Sequence, residues 1–201
     1  MRRWIDLVHV VDPALLRTAI QAGVTERVYR DVVAHMRHLQ PCGAVAVLVT
    51  CSSIGEAAEA AAELVPIPVL RVDAPMVQEA VDLAADAGQR AGRAGSIRVL
   101  ATLATTLGPT GRLIERKARG RDTEVGTEIV AGAIEARDAG DWDEHDRLIA
   151  AAVTRSQGSD VVVLAQASMA HATRGLDMGL PILTSPQSDI DALLEAVTRL
   201  V

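Results

Sequence analysis

Short runs of β-branched and aliphatic residues alternate along this chain with longer, alanine-rich stretches whose apolar positions recur at helical spacing. The runs predict strands near Ile5–Val11, Ala44–Val49, Val69–Arg71, Ile97–Ala101, Val161–Leu164 and Ile182–Leu183. Between them Gly23–Leu39, Ser53–Leu64, Pro75–Ala91, Leu107–Ala118, Thr127–Ala139 and Trp142–Arg155 read as helices. The alternation argues for βα units, hence an α/β protein with mostly parallel sheets. A glycine and arginine cluster at Gln89–Ser96 (QRAGRAGS) breaks a helix just before a new strand and divides the chain into two similar halves.

Each half contains a junction of the same kind. Val45–Ser53 (VAVLVTCSS) and Val161–Met169 (VVVLAQASM) are apolar runs ending in small polar residues. That is the pattern of a buried parallel strand delivering side chains and free backbone N–H groups to a helix start. Open α/β folds place ligands at such junctions. The first carries Cys51, whereas the second carries Gln166, Ala167 and Ser168. Val99–Thr110 (VLATLATTLGPT) has the same form and brings Thr102, Thr105 and Thr106 to a strand end.

Composition narrows the field. At 201 residues, 49% apolar and 23% charged, the chain is long enough for one large domain or two small ones with genuine cores. Acidic residues outnumber basic ones by 26 to 20, and there are two Trp, one Tyr and no Phe. A basic phosphate-binding face and base-stacking aromatics are both lacking, which argues against nucleic acid as a partner. No apolar stretch approaches the roughly eighteen residues of a membrane span. Asp6 and His9 would fall inside the apolar region of any signal peptide, so we read the protein as cytoplasmic. Cys42 and Cys51 bracket a predicted strand that holds them apart, so no structural disulfide is expected. There is no HxH, HExxH or CxxC spacing for a metal, and no GxGxxG or GxxxxGK[ST] for a nucleotide.

A thiolate can take a proton from carbon, add to an activated double bond, or as the thiol return a proton to a carbanion. Each role is helped by backbone N–H groups at a helix start, the setting that Cys51 shares with Ser52 and Ser53. The alternative is a small buried apolar residue, common for free cysteine. Thr102, Thr105 and Thr106 could grip a carboxylate, or Thr106 could simply cap the following helix. Gln166 exchanges no protons near neutral pH but can orient a substrate. His171 follows Ser168 by one helical turn and could act as a second acid or base, or sit at the surface as a capping histidine. Asp12, ahead of Pro13, is best read as a helix cap. His145 and Asp146 lie in a charged amphipathic stretch (DWDEHDRL), where a structural role linking helices is expected.

Taken together, HVVDPALL (His9–Leu16), VTCSSIGEA (Val49–Ala57), PVLRVDAPM (Pro68–Met76), ATLATTLGPT (Ala101–Thr110), AGDWDEHD (Ala139–Asp146) and VVVLAQASMA (Val161–Ala170) resemble the aspartate/glutamate racemase superfamily. That superfamily includes hydantoin racemases, maleate isomerases and arylmalonate decarboxylases. The resemblance runs nearly the length of the chain. It implies two pseudo-symmetric parallel-sheet lobes, with a small carboxylate bound in the cleft between them, catalysis without cofactor or metal, and a homodimer. The expected lobes are residues 1–94, with 188–201 packing back on them, and residues 95–187. Racemising members carry one cysteine in each lobe, on opposite faces of the substrate carbon. Cys51 matches the first, and Gln166 stands where the second would be. HVVD resembles the second strand of the usual first lobe, so either the chain begins late or its first lobe lacks the usual first strand.

With one cysteine visible, strict two-base racemisation ranks below chemistry that one group can perform. The leading reading is a cofactor-independent isomerase, in the sense that includes racemase, acting on a small carboxylate or amino-acid-like substrate through Cys51. Ser52, Ser53, Thr102, Thr105, Thr106, Gln166, Ala167 and Ser168 would bind that substrate. The alternatives are a cofactor-free decarboxylase of the same superfamily, and a non-catalytic carboxylate-binding relative.

Overall fold

The computed structural model describes residues 6–199, which form two parallel sheets. In the first lobe, α1 (Pro13–Ala22), α2 (Glu26–Leu39) and α3 (Gly55–Ala62) accompany the short strands β1 (Val47–Val49) and β2 (Val69–Arg71). The apolar stripes of these helices supply the core: Leu15 and Ala19 from α1, Val28, Val32 and Met36 from α2, and Ala57, Ala58 and Ala61 from α3. A 3-10 turn at Ser52–Ile54 joins β1 to α3.

The second lobe is a four-stranded sheet in the order β4 (Thr123–Ile129), β3 (Gly95–Ala101), β5 (Val161–Leu164), β6 (Ile182–Thr184). Side chains alternate across the central strands. Ile97, Val99, Val161 and Val163 face α4 (Ala74–Ala91) and α5 (Ala104–Lys117). Leu100, Val162 and Leu164 face α6 (Ala133–Asp138) and α7 (Trp142–Arg155). The last helix, α8 (Ser185–Arg199), packs on α4. Among the described residues no helix is long and apolar enough to cross a membrane.

Three expectations are corrected. Residues 6–11 form no strand, and Ile5 lies outside the described residues. Leu7, Val8, Val10 and Val11 are exposed because no described strand pairs with them, and β propensity without a ladder partner makes no strand. The helix expected at Thr127–Ala139 is the end of β4 followed by α6, separated by Gly132 at φ 80. In β4, Val125, Thr127 and Ile129 alternate with Glu124, Gly126 and Glu128, and as an edge strand it stays partly exposed on both faces, Thr127 and Ile129 included. The helix expected at Gly23–Leu39 starts at Glu26, because Gly23, at φ 74, closes α1 instead.

Candidate functional site

In parallel sheets every strand ends at the same side, so the ends of β1, β3 and β5 can converge on one place. Here they do, and hydrogen bonds tie the three junctions together. Ser52 donates from Oγ to the Ala165 carbonyl at 3.2 Å. Ser53 Oγ and Thr106 Oγ1 are 3.0 Å apart. Gln166 Oε1 accepts from both the N–H and the hydroxyl of Thr102, at 2.6 and 3.0 Å. The first two of these contacts cross from one lobe to the other.

Cys51 sits between β1 and the 3-10 turn, half-buried against the first-lobe core. Its carbonyl accepts from the Ile54 N–H and closes the turn. Thr106 does not cap α5: the cap position belongs to Leu103, which offers no side-chain oxygen, and the Thr106 hydroxyl turns to Ser53 instead. The start of α5 is therefore uncapped by any side chain, a natural seat for an anion. Beside it, Thr105 Oγ1 is buried and has no hydrogen-bond partner. Gln166 spends its oxygen on Thr102, leaving its NH₂ as the remaining donor. Ala167 is exposed and Ser168 half-buried on the turn that follows β5.

His171 finds a carboxylate in addition to its place one turn beyond Ser168. Its Nδ1 lies 2.5 Å from Asp146 Oδ2, while Asp146 Oδ1 lies 2.9 Å from Nδ1 of the fully buried His145. Asp146 thus links α7 to the segment after β5. Burial pushes its carboxyl upward, but the hydrogen bonds of His171 and His145 outweigh this and hold it below the usual carboxylate range. Asp12 caps α1, accepting from the N–H groups of Ala14 and Leu15 at 3.0 and 3.1 Å, and also meets His35 Nε2 at 2.9 Å. Among the described residues no group of three His, Cys, Asp or Glu side chains is placed to hold a metal ion.

Sequence reasoning did not single out the charged cluster beneath this site. Arg71, at the end of β2, grips the fully buried Asp73 with Nε–Oδ1 of 2.6 Å and Nη2–Oδ2 of 2.8 Å. Thr110 on α5 donates to the same carboxylate at 2.9 Å. The available signal was an arginine and an aspartate in an otherwise apolar strand end, LRVDAP. Two surface cavities, of about 460 and 370 Å³, lie at the opposite ends of the strands. One is lined by Gly88, Arg93 and Arg121, the other by Arg98, Glu124 and Arg155. Neither is lined by the junction residues at the ends of β1, β3 and β5.

The comparisons agree with this architecture. No curated protein matches the sequence. Among solved structures, glutamate racemase from Aquifex pyrophilus superposes with a TM-score of 0.64 at 18% identity, covering 95% of this chain and 73% of that one. Allantoin racemase from Klebsiella pneumoniae gives 0.63 at 16% identity, over 87% and 68%. A glutamate racemase isoform from Bacillus anthracis gives 0.62 at 16% identity, over 87% of this chain and 66% of its own length. The family model for Asp/Glu/Hydantoin racemase matches residues 6–193, and the chain belongs to that family.

Proposed function

We propose that the protein is a racemase-type isomerase that acts on a small carboxylate or amino-acid-like substrate through Cys51. The observation that carries the proposal is the meeting of Cys51's turn with the uncapped start of α5, joined by the Ser53–Thr106 contact of 3.0 Å. A substrate carboxylate seated on the α5 amides, on the Thr105 hydroxyl and on the one proton that the Ser53–Thr106 pair leaves over would have its negative charge stabilised there, with Ser52, whose proton goes to the Ala165 carbonyl, lining the seat. As a proton leaves the adjacent carbon, the same donors favour the enediolate. The Cys51 thiolate takes that proton, and isomerisation follows when a proton is delivered to the opposite face of that carbon or to a different carbon of the delocalised anion. Thr102, Gln166, Ala167 and Ser168 form the opposite wall, where Gln166 orients the substrate. His171, with Nδ1 committed to Asp146 and Nε2 free, is the candidate second acid or base. The proposal includes a cytoplasmic homodimer that needs no cofactor, with lobes dividing near residues 94 and 95.

The second reading is decarboxylation. Gln166, with its oxygen already held by Thr102, favours it, because protonating an enediolate after loss of carbon dioxide needs only one acid. The test for both is incubation in D₂O with amino acids and small diacids, following loss of the α-proton signal by NMR and carbon dioxide release. Proton exchange that falls by about a thousandfold or more in Cys51→Ala supports the isomerase. Full turnover in that variant sinks it, and carbon dioxide release selects the lyase.

A further inference from the structure

Two hydroxyls one turn apart on α5 reach different parts of the first lobe: Thr106 meets Ser53, and Thr110 donates to Asp73. Asp73 has no freedom of its own. It is fully buried, and Arg71 holds both its oxygens through two near-parallel hydrogen bonds. The remaining guanidinium nitrogen, Nη1, lies 3.0 Å from Glu59 Oε1, an ionic contact without hydrogen-bond geometry. The start of α3 is shaped around this clamp, since a Cβ at Gly55 would lie 2.6 Å from Arg71 Cζ.

A buried ion pair stabilises a fold poorly compared with apolar residues of the same volume. Its particular contribution is direction, because a carboxylate fixed at both oxygens presents its partner with one geometry. We infer that Asp73 is a positioning residue for the carboxylate site: clamped by Arg71, it seats α5 through Thr110 so that Thr106 meets Ser53 and the unpartnered Thr105 hydroxyl stays available to ligand. This rests on the proposed carboxylate site.

Asp73→Asn strips Arg71 of its buried counter-charge and is expected to unfold the protein, so Thr110→Val, which keeps the shape and removes the donor, carries the test. Two quantities are read in a Cys42→Ser background. One is hydrogen–deuterium exchange of the amides of residues 104–108, measured against those of β5. The other is the concentration of malonate, maleate, aspartate or glutamate that half-protects Cys51 from iodoacetamide. A hydrogen bond to a charged group is worth about tenfold in an equilibrium. Exchange at 104–108 should therefore rise about tenfold relative to β5, and the protecting concentration should rise about tenfold. Unchanged exchange, or exchange raised equally throughout the chain, overturns the inference. So does local loosening that leaves protection intact, which would make the contact structural only. If none of the four carboxylates protects the parent protein, the carboxylate reading falls, and the exchange result alone decides whether Asp73 seats α5.

Discussion

Asp160 accepts two hydrogen bonds from Arg93, at 2.7 Å each, and further ones from the amide and hydroxyl of Ser96 at 2.8 and 3.0 Å. The Arg93 guanidinium is the largest cause, and together these bonds lower the carboxyl from 3.8 to about 2. A carboxyl more acidic when folded stabilises the fold above its unfolded value and loses that contribution as pH falls through the folded one. The stabilisation is thus complete above about pH 4 and disappears towards pH 2, with a size of about 2 kcal/mol. In urea titrations Asp160→Asn should be less stable than the parent by about that amount at pH 6, and the gap should shrink at pH 2.5. An equal gap at both pH values would mean that the substitution acts through packing. Features that follow from local chain direction were legible in the sequence: Asp12 before Pro13 as a cap, and the placing of Ser53 and Thr106 just beyond strand ends. Arg71, Asp73 and Thr110 were not: Arg71 and Asp73 are neighbours in sequence, but the burial of the pair and the Thr110 donation to it arise only when α5 packs over the end of β2.

Gly95 opens β3 where α4 presses directly on the strand. A Cβ there would lie 2.0 Å from the Ala84 carbonyl oxygen and 2.5 Å from its carbon, both backbone atoms that no rotamer change can move. On α4, a Cβ at Gly88 would likewise lie 2.4 Å from the Gly95 nitrogen. Gly95→Ala must therefore lift the helix off a core that includes the fully buried Val77, Ala80, Val81 and Ala84, at a cost of about 3 kcal/mol. Chemical denaturation checks this, and a change under about 0.5 kcal/mol would show that helix and strand separate freely. The QRAGRAGS cluster was readable as a break, but close helix–strand contact is a tertiary property that the glycines only permit. Elements with one strong period, such as α4, α7 and the wholly buried β5, were found within about a residue. β4 was missed because an edge strand carrying Glu124 and Glu128 has too little apolar signal to compete with a helix. For residues 6–11 the signal was strong, but among the described residues no strand pairs with them.

The ion pairs at the seam between the lobes are of two kinds, and magnitudes separate them. Glu56–Arg112 and Glu59–Arg116, each at 2.7 Å, join α3 to α5 across partly exposed surface. Pairs of that sort contribute less than about 1 kcal/mol each and are screened by salt. Arg112→Ala combined with Arg116→Ala should therefore cost about 1 kcal/mol in dilute buffer and much less in 1 M NaCl. The Arg71–Asp73 pair lies at the same seam with side-chain exposures of 3% and 0%, beyond the reach of screening. Removing one partner leaves a bare buried charge, so Arg71→Met alone should cost about 3–5 kcal/mol at any salt concentration. Replacing both, as in Arg71→Met with Asp73→Leu, removes the desolvation penalty along with the attraction and should recover most of that stability. If the pair serves only to hold the lobes together, the double variant will bind carboxylates as the parent does. If it exists to seat α5, the double variant will melt near the parent's temperature while malonate or aspartate no longer shields Cys51 at the parent's concentrations. Stability regained without ligand protection would show that the buried charges are kept for geometry, and the two measurements can be made on the same sample.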